Sequence, residues 1–239
     1  MKAVVPAAGE GTRMRPLTAD RPKGLVEVGG RPLLAHVFET LGQVNPDELI
    51  VVVGYRGDAI RDHFGEQFDG TPLRYVTQPE RRGLADALLQ AAPYVEGDFV
   101  VLNGDNIARA NLGEVVERHR GTDADVTALV EQVSRERARE GAVFEREGDR
   151  ITGVVEKPAD PPSRLVPRSF YAFSPVIFHA CRLVAPGPTG ERELTDAIDL
   201  LLAAGRRLET VSLDGWCANI NTPADCERVA RKLAADSEP

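Results

Sequence analysis

Lysine is nearly missing from this chain: of its 29 basic residues only Lys2, Lys23, Lys157 and Lys232 are lysine, and the rest are arginine. Each of these lysines therefore asks for its own explanation. Cysteine is scarce as well. Cys181, Cys217 and Cys226 are odd in number and show no C-x-x-C spacing, which argues against a disulfide framework or a thiolate zinc site. Long apolar runs are absent too, since no stretch approaches the roughly 18 uncharged residues of a membrane span. The first strand candidate starts at Lys2 without an apolar leader. The expectation is a soluble, cytoplasmic protein. Excess positive charge is also lacking. A net charge of -8 argues against nucleic acid or anionic membrane as partners, because both select basic surfaces. The histidines show no paired ligand spacing, and no serine sits in a nucleophile-elbow context, so no covalent catalyst is expected.

What the chain does have is a β-α-β-α rhythm. Ala3–Val5, Leu49–Val53, Leu73–Val76 and Phe99–Leu102 are short β-rich apolar runs, which suit buried strands of a mostly parallel sheet. Helical spacings of three and four run through Pro32–Gly42, Asp58–Phe64, Gly83–Ala92 and Asn111–His119. The class is α/β. After about Asp125 shorter strand candidates follow: Val126–Val130, Ala142–Glu145, Ile151–Glu156 and Phe170–Phe173, with a hairpin turn at Gly148-Asp149. Pro158–Pro167 holds four prolines and reads as a loop. Helical patterns at Leu194–Ala204 and Pro223–Ala235 close the chain. One domain over 1–239 is expected, and in an open parallel sheet its ligand belongs beyond the carboxyl ends of the strands.

At that position stands Ala7-Ala8-Gly9-Glu10-Gly11-Thr12-Arg13-Met14. Glycines after a strand let backbone N–H groups approach phosphate oxygens without a Cβ in the way, and Arg13 offers a planar cation. G-x-G alone fits an ordinary turn equally well. A dinucleotide fingerprint needs glycine where Met14 stands, and a nucleotide P-loop needs Gly-Lys-Ser/Thr where Gly11-Thr12-Arg13 stands. An NAD-dependent oxidoreductase is further disfavoured by Val53-Gly54-Tyr55, which leaves the second strand without a terminal acid. Elsewhere, Gln78 to Ala87 reads Q-P-E-R-R-G-L-A-D-A. Asn103-Gly104-Asp105-Asn106 puts a carboxylate at the sheet edge, and Glu156-Lys157-Pro158 ends a strand. A hard carboxylate oxygen suits Mg²⁺, although Asn, Gly and Asp also form plain turns.

Together, the run from Pro6 to Thr18 followed by Arg21-Pro22-Lys23 resembles the signature of the nucleoside-diphosphate-sugar pyrophosphorylases, or sugar-phosphate nucleotidylyltransferases. In motif it is nearest to glucose-1-phosphate thymidylyl- and uridylyltransferases. The resemblance implies a Rossmann-like sheet flanked by helices, with a smaller mixed β region over a sugar site. Its nucleotide-binding part would cover about 1–124 and its sugar-binding part about 125–239. Ala7, Ala8, Gly9, Gly11 and Thr12 would wrap a triphosphate, while Arg13 and Lys23 hold the phosphates that depart. Gln78 and Gly83 would frame the base, the amide both donating and accepting. Gly141, Glu156, Lys157, Glu193 and Thr195 would bind the sugar phosphate, with Lys157 on its phosphate.

Asp105 would hold Mg²⁺, completed near Trp216 by an asparagine where the family more often has aspartate. Asn221 is preferred over Asn219, and a neutral ligand there would weaken metal affinity. The implied reaction joins a sugar-1-phosphate, glucose-1-phosphate or similar, to a nucleoside triphosphate, UTP or dTTP favoured, releasing pyrophosphate. A non-catalytic nucleotide-sugar-binding regulatory subunit on the same fold is the alternative. The sequence leaves the oligomeric state open, and a homo-oligomer is compatible with it.

Overall fold

A computed structural model of the chain describes residues 1–236. In chain order its elements are β1 (Lys2–Ala7), β2 (Glu27–Val28), β3 (Arg31–Pro32), α1 (Leu33–Gly42), β4 (Leu49–Val53), α2 (Gly57–Phe64), β5 (Gln67–Phe68), β6 (Thr71–Thr77) and α3 (Leu84–Ala91). Then come β7 (Phe99–Leu102), β8 (Asn106–Ala110), α4 (Leu112–Arg120), β9 (Val126–Gln132), β10 (Ala142–Glu147), β11 (Arg150–Glu156) and β12 (Leu165–Phe173). The chain closes with α5 (Ile177–Leu183), α6 (Leu194–Ala203), β13 (Leu208–Ser212), β14 (Gly215–Asn219) and α7 (Pro223–Asp236).

The central sheet has eight strands in the order β13-β9-β12-β7-β1-β4-β6-β5. Successive residues of a strand face opposite sides, and here both sides are covered. Val4, Ile50 and Val52 pack into one core with Ala85 and Leu88 of α3, Ile177 of α5 and Ile198 of α6. Ala3, Val5, Leu49 and Val51 pack into a second core with Leu34 and Phe38 of α1, Ile60 of α2 and Val115 of α4. Continuous apolar strands are what two-faced burial requires. No helix among the described residues is long and apolar enough to cross a membrane.

From β1 the chain adds β4 on one side and later β7 on the other, each parallel to it. That reversal places a topological switch point at β1, where a crevice opens beyond the strand ends. The glycine-rich segment leaves β1 into that crevice.

Several elements differ from the pattern in the sequence. β12 runs antiparallel to both β7 and β9, in the middle of an otherwise mainly parallel sheet. It begins at Leu165, inside the proline-rich stretch expected to be loop. Pro167 is tolerated there because it pairs only with Val130 of β9, while the β7 partners start at Phe170, so its missing N–H breaks no ladder on that side. β8, α5, β13 and β14 carry no clear sequence signal. β8 and β14 pair with each other alone, and their mix of small, aromatic and polar residues gives neither an apolar run nor a regular alternation. β10 and β11 form the hairpin expected around Gly148, with Glu147 opposite Arg150, so this small β region is antiparallel.

Phe99 of β7 is fully buried, and its ring stacks on Phe178 of α5 with centroids 5.0 Å apart. Phe99→Ala is expected to cost about 3–5 kcal/mol of unfolding free energy, as large-to-small changes of buried aromatics do. Denaturant titration would read this as a lowered midpoint with an unchanged slope. An unchanged midpoint would contradict this account of the core.

Candidate functional site

Beyond β1 the chain turns through Gly9 and Gly11. Gly11 lies in the left-handed region at φ +67°, and a Cβ there would stand 3.0 Å from Lys23 Cβ and 3.2 Å from Thr18 Cγ2. Only glycine lets these two segments close on each other. Thr18 Oγ1 donates to Gly11 O at 2.8 Å and pins the loop. Arg13 then sits in a tight 3-10 turn (Thr12–Met14), and Lys23 opens a second one (Lys23–Leu25).

Asp105 follows β7. Gly104 before it donates its N–H to Pro6 O at 2.9 Å, and a Cβ at Gly104 would meet that oxygen at 2.8 Å. The close approach brings Asp105 alongside the glycine-rich loop. Lys23 Nζ donates to Asp105 Oδ2 at 2.8 Å and to Asn221 Oδ1 at 3.0 Å, and Arg13 Nη2 donates to the same Asn221 oxygen at 3.1 Å. Asn106 Nδ2 donates to the other Asp105 oxygen at 2.7 Å. Asn221 is the asparagine gathered here; Asn219, at the end of β14, lines the neighbouring cleft instead.

Asn221 is itself held. Asp225 Oδ2 accepts from the backbone N–H groups of Asn221 and Thr222 and from Thr222 Oγ1, at 3.1, 3.0 and 2.9 Å. Thr222 Oγ1 in turn accepts from Asp225 N at 3.2 Å. This reciprocal pattern is a capping box at the start of α7. Burial pushes the Asp225 carboxyl up, but hydrogen bonds from Arg228, Thr222 and the two backbone N–H groups outweigh it and hold it at about 2.

A small separate core lies under these groups. Met14, Val26, Ile107, Ile220 and Val229 share it. Each polar residue above thus has a buried apolar neighbour in sequence: Arg13 beside Met14, Lys23 near Val26, Asp105 near Ile107 and Asn221 beside Ile220. The polar tips are positioned by packing beneath them.

Three adjoining clefts meet at Arg13, which lines all of them. The first, about 220 Å³, is lined by Ala7, Gly9, Gly11, Thr12, Lys23, Asp105 and Asn221. The second, about 490 Å³, adds Ala8, Gln78 and Gly83. The third, about 590 Å³, holds Gly141, Glu156, Lys157, Glu193 and Thr195. Every residue expected to bind nucleotide, sugar phosphate or metal therefore borders one of these three clefts.

Gln78 departs from expectation in one respect. Its amide nitrogen donates inward, to Gly83 O at 3.1 Å and Asp86 Oδ2 at 2.8 Å, so only its oxygen is left to meet a ligand. Gly83, at φ +91°, could carry no Cβ without striking the Arg192 backbone at 2.5 Å. In the third cleft a Cβ at Gly141 would meet nothing within 4 Å, leaving open space against the wall. Lys157 is held in the left-handed region at φ +45°, unusual for a lysine, with its N–H on Gly141 O at 3.0 Å. Its ammonium lies 3.4 Å from Glu156. Thr195 Oγ1 is buried on this wall without a hydrogen-bond partner.

Some lining groups escape the sequence patterns. Arg168 and Ser169 enter the third cleft from the irregular part of β12, where Ser169 sits at φ +57°. Arg168 pairs with Glu131. Their only signal is the proline at 167, which marks a break in regular pairing without saying what it presents.

Asp105 and Asn221 put two hard oxygens within hydrogen-bond reach of one ammonium nitrogen, a place that suits a cation. No cluster of three or more His, Cys, Asp or Glu residues able to hold a metal occurs among the described residues. Any divalent ion would take its other ligands from phosphate or water, as Mg²⁺ commonly does.

Residues 2–228 match the nucleotidyl transferase family. A UTP–glucose-1-phosphate uridylyltransferase of Haloferax volcanii is 46% identical over 238 residues, covering 99% of this chain and 98% of its own. A glucose-1-phosphate thymidylyltransferase of Streptomyces griseus is 32% identical, covering 100% of this chain and 68% of its own. Among solved structures, a UDP-glucose pyrophosphorylase complexed with UDP-glucose matches with a TM-score of 0.89 at 21% identity over 98% of each chain, a likeness of fold.

Glu193, half-buried on the cleft wall, has its carboxyl raised above the usual range, first by burial and then by Glu191, Glu156 and Asp196. A raised carboxyl stabilises the fold while protonated, and that contribution is lost as pH rises through its folded value. Glu193→Gln is therefore expected to melt higher than the unsubstituted protein at pH 7, with the gap closing toward about pH 4, where glutamate protonates. Thermal unfolding from pH 4 to 8 checks this, and a variant that melts lower at pH 7 contradicts it.

Proposed function

The chain belongs to the nucleotidyl transferase family, and from that premise we propose that it transfers a nucleotidyl group from UTP or dTTP to a sugar-1-phosphate, giving an NDP-sugar and pyrophosphate. UTP and glucose-1-phosphate, named for the Haloferax relative, are the favoured pair. The observation that carries this reading is the place of Arg13 where three clefts meet, with Lys23 in one and Lys157 in another. Three cations then surround the position a phosphoryl chain would occupy between base and sugar.

In this reading a sugar-phosphate oxygen attacks the α-phosphorus in line, and the bond from that phosphorus to the bridging oxygen breaks as pyrophosphate leaves. The attacking phosphate is already anionic, so no general base is required. Catalysis is then positioning and charge neutralisation. Ala7, Ala8, Gly9, Gly11 and Thr12 cradle the triphosphate, and Arg13 and Lys23 take the departing phosphates. Lys23 exchanges its carboxylate partner Asp105 for a phosphate oxygen. Lys157 holds the sugar phosphate. Glu156, Glu193 and Thr195 meet sugar hydroxyls beside the open wall at Gly141, and Gln78 and Gly83 meet the base.

The donor chemistry of Asp105 and Asn221 fits Mg²⁺, which when bound would supply charge neutralisation on the phosphates. The same reading divides the chain near residue 124 into a nucleotide-binding part and a sugar-binding part of one domain.

With UTP, glucose-1-phosphate and Mg²⁺, the protein is expected to release pyrophosphate, and a chelator to stop it. Arg13→Ala is expected to lower turnover about a hundredfold or more, the usual effect of removing a charge-stabilising donor. Turnover within a few-fold of normal would sink the role of Arg13. Nucleotide binding without pyrophosphate release, under all four triphosphates, would instead identify a non-catalytic regulatory subunit.

A further inference from the structure

Asp86 lies in the first turn of α3, buried, where the helix N-terminus favours an anion. Its Oδ2 accepts from Gln78 Nε2 at 2.8 Å and, more distantly, from Gln90 Nε2 at 3.5 Å. We propose that Asp86 is a specificity-determining positioning residue: by holding the Gln78 amide in one orientation, it selects pyrimidines that carry an N3–H over cytosine. This rests on the reading of the site as a nucleotidyltransferase centre with Gln78 at the base.

An ionised carboxylate can only accept hydrogen bonds, and so can a backbone carbonyl. Both acceptors that face the Gln78 amide, Asp86 Oδ2 and Gly83 O, meet its nitrogen. Turned over, the amide would set its oxygen against these two acceptors in a buried place, losing two hydrogen bonds and adding repulsion. The orientation is therefore fixed from behind. Both amide hydrogens are consumed, and Gln78 Oε1 is the atom left for the cleft that Gln78, Gly83 and Ala87 line.

An oxygen that only accepts pairs with uracil or thymine, whose N3 carries a hydrogen. Against cytosine it would face the N3 lone pair, and a buried mismatch of that kind is rejected strongly. Asparagine at 86 would weaken the lock, leaving Gly83 O alone to oppose a turned amide, because the new amide can present either a donor or an acceptor to Gln78.

The test is pyrophosphate release with UTP, dTTP and CTP, read as kcat/KM for the unsubstituted protein, Asp86→Asn and Gln78→Ala, each checked by thermal melting. The unsubstituted protein is expected to use UTP or dTTP well and CTP poorly. Asp86→Asn is expected to reduce the UTP-to-CTP ratio about tenfold or more. In a Gln78→Ala background the same change is expected to leave the ratio untouched, since Asp86 acts through Gln78. If Asp86→Asn does not fold, Asp86→Ser provides the same comparison.

An equal preference for CTP in the unsubstituted protein would overturn the proposal. So would a folded Asp86 variant with an unchanged ratio, or a ratio that still shifts without Gln78. Absence of release with every triphosphate would instead mark failure of the functional reading beneath it.

Discussion

The ammonium of Lys23 ties the site together. One nitrogen bridges Asp105, 82 residues away, and Asn221, 198 residues away, joining the loop after β1, the exit of β7 and the entrance to α7. A partly buried carboxylate needs a partner for its charge. The lysine supplies it, while Arg13 shares the Asn221 oxygen. With this contact in place, the glycine-rich loop, the Asp105 and Asn221 oxygens and the ends of three clefts stand in fixed relation. Without it, a negative charge would remain on the crevice floor. The scarcity of lysine in the chain makes the choice legible, since guanidinium groups serve nearly everywhere else. A compact ammonium fits between two oxygens where a planar fork would not.

The two ends of the depression are built by different means. Around Gln78 the backbone is tightly packed: Gly83 presses on Arg192, and the Gln78 amide is committed to partners behind it. Around Lys157 there is more room, with an open wall at Gly141, an unpartnered Thr195 hydroxyl and a lysine held in a left-handed backbone. Strain and unsatisfied polar atoms tend to gather where a ligand completes the structure. On the function proposed above, the contrast suits a site rigid toward the base and more accommodating toward the sugar.

Much of this is legible in the sequence. Strands buried on both faces announce themselves as unbroken apolar runs, so β1, β4, β6 and β7 lie where Ala3–Val5, Leu49–Val53, Leu73–Val76 and Phe99–Leu102 put them. The glycine at 83 and the asparagine at 221 were visible as motif positions, because their chemistry is local. The direction of β12 was not, since strand polarity depends on which neighbour pairs with it, and Pro167 pointed toward a loop. The ribbon of β8 and β14 is hidden for a related reason: short strands that pair only with each other and mix small, aromatic and polar residues leave no regular apolar signature. Arg168 and Ser169 were unreadable as site residues because an irregularity in β12 aims them. The Asp86 contact was concealed inside a plain helical pattern.

The capping box of Thr222 and Asp225 couples the Asn221 side chain to the last helix. α7 is 14 residues long but buries only Cys226 and Val229; the capping box holds its first turn, Ala230 and Leu233 lean on the small core, and Trp216 holds its last turn through a hydrogen bond to Asp236 Oδ2 at 2.7 Å and a ring 4.6 Å from Lys232 Nζ. Elements of that kind open locally far more often than the whole protein unfolds. Each opening at the first turn would carry Asn221 away from Lys23. By linkage, whatever occupies the crevice and engages Asn221 also closes that helix. Amide exchange along Ala224–Asp236 would then slow on ligation, making a surface helix a reporter of events in the crevice.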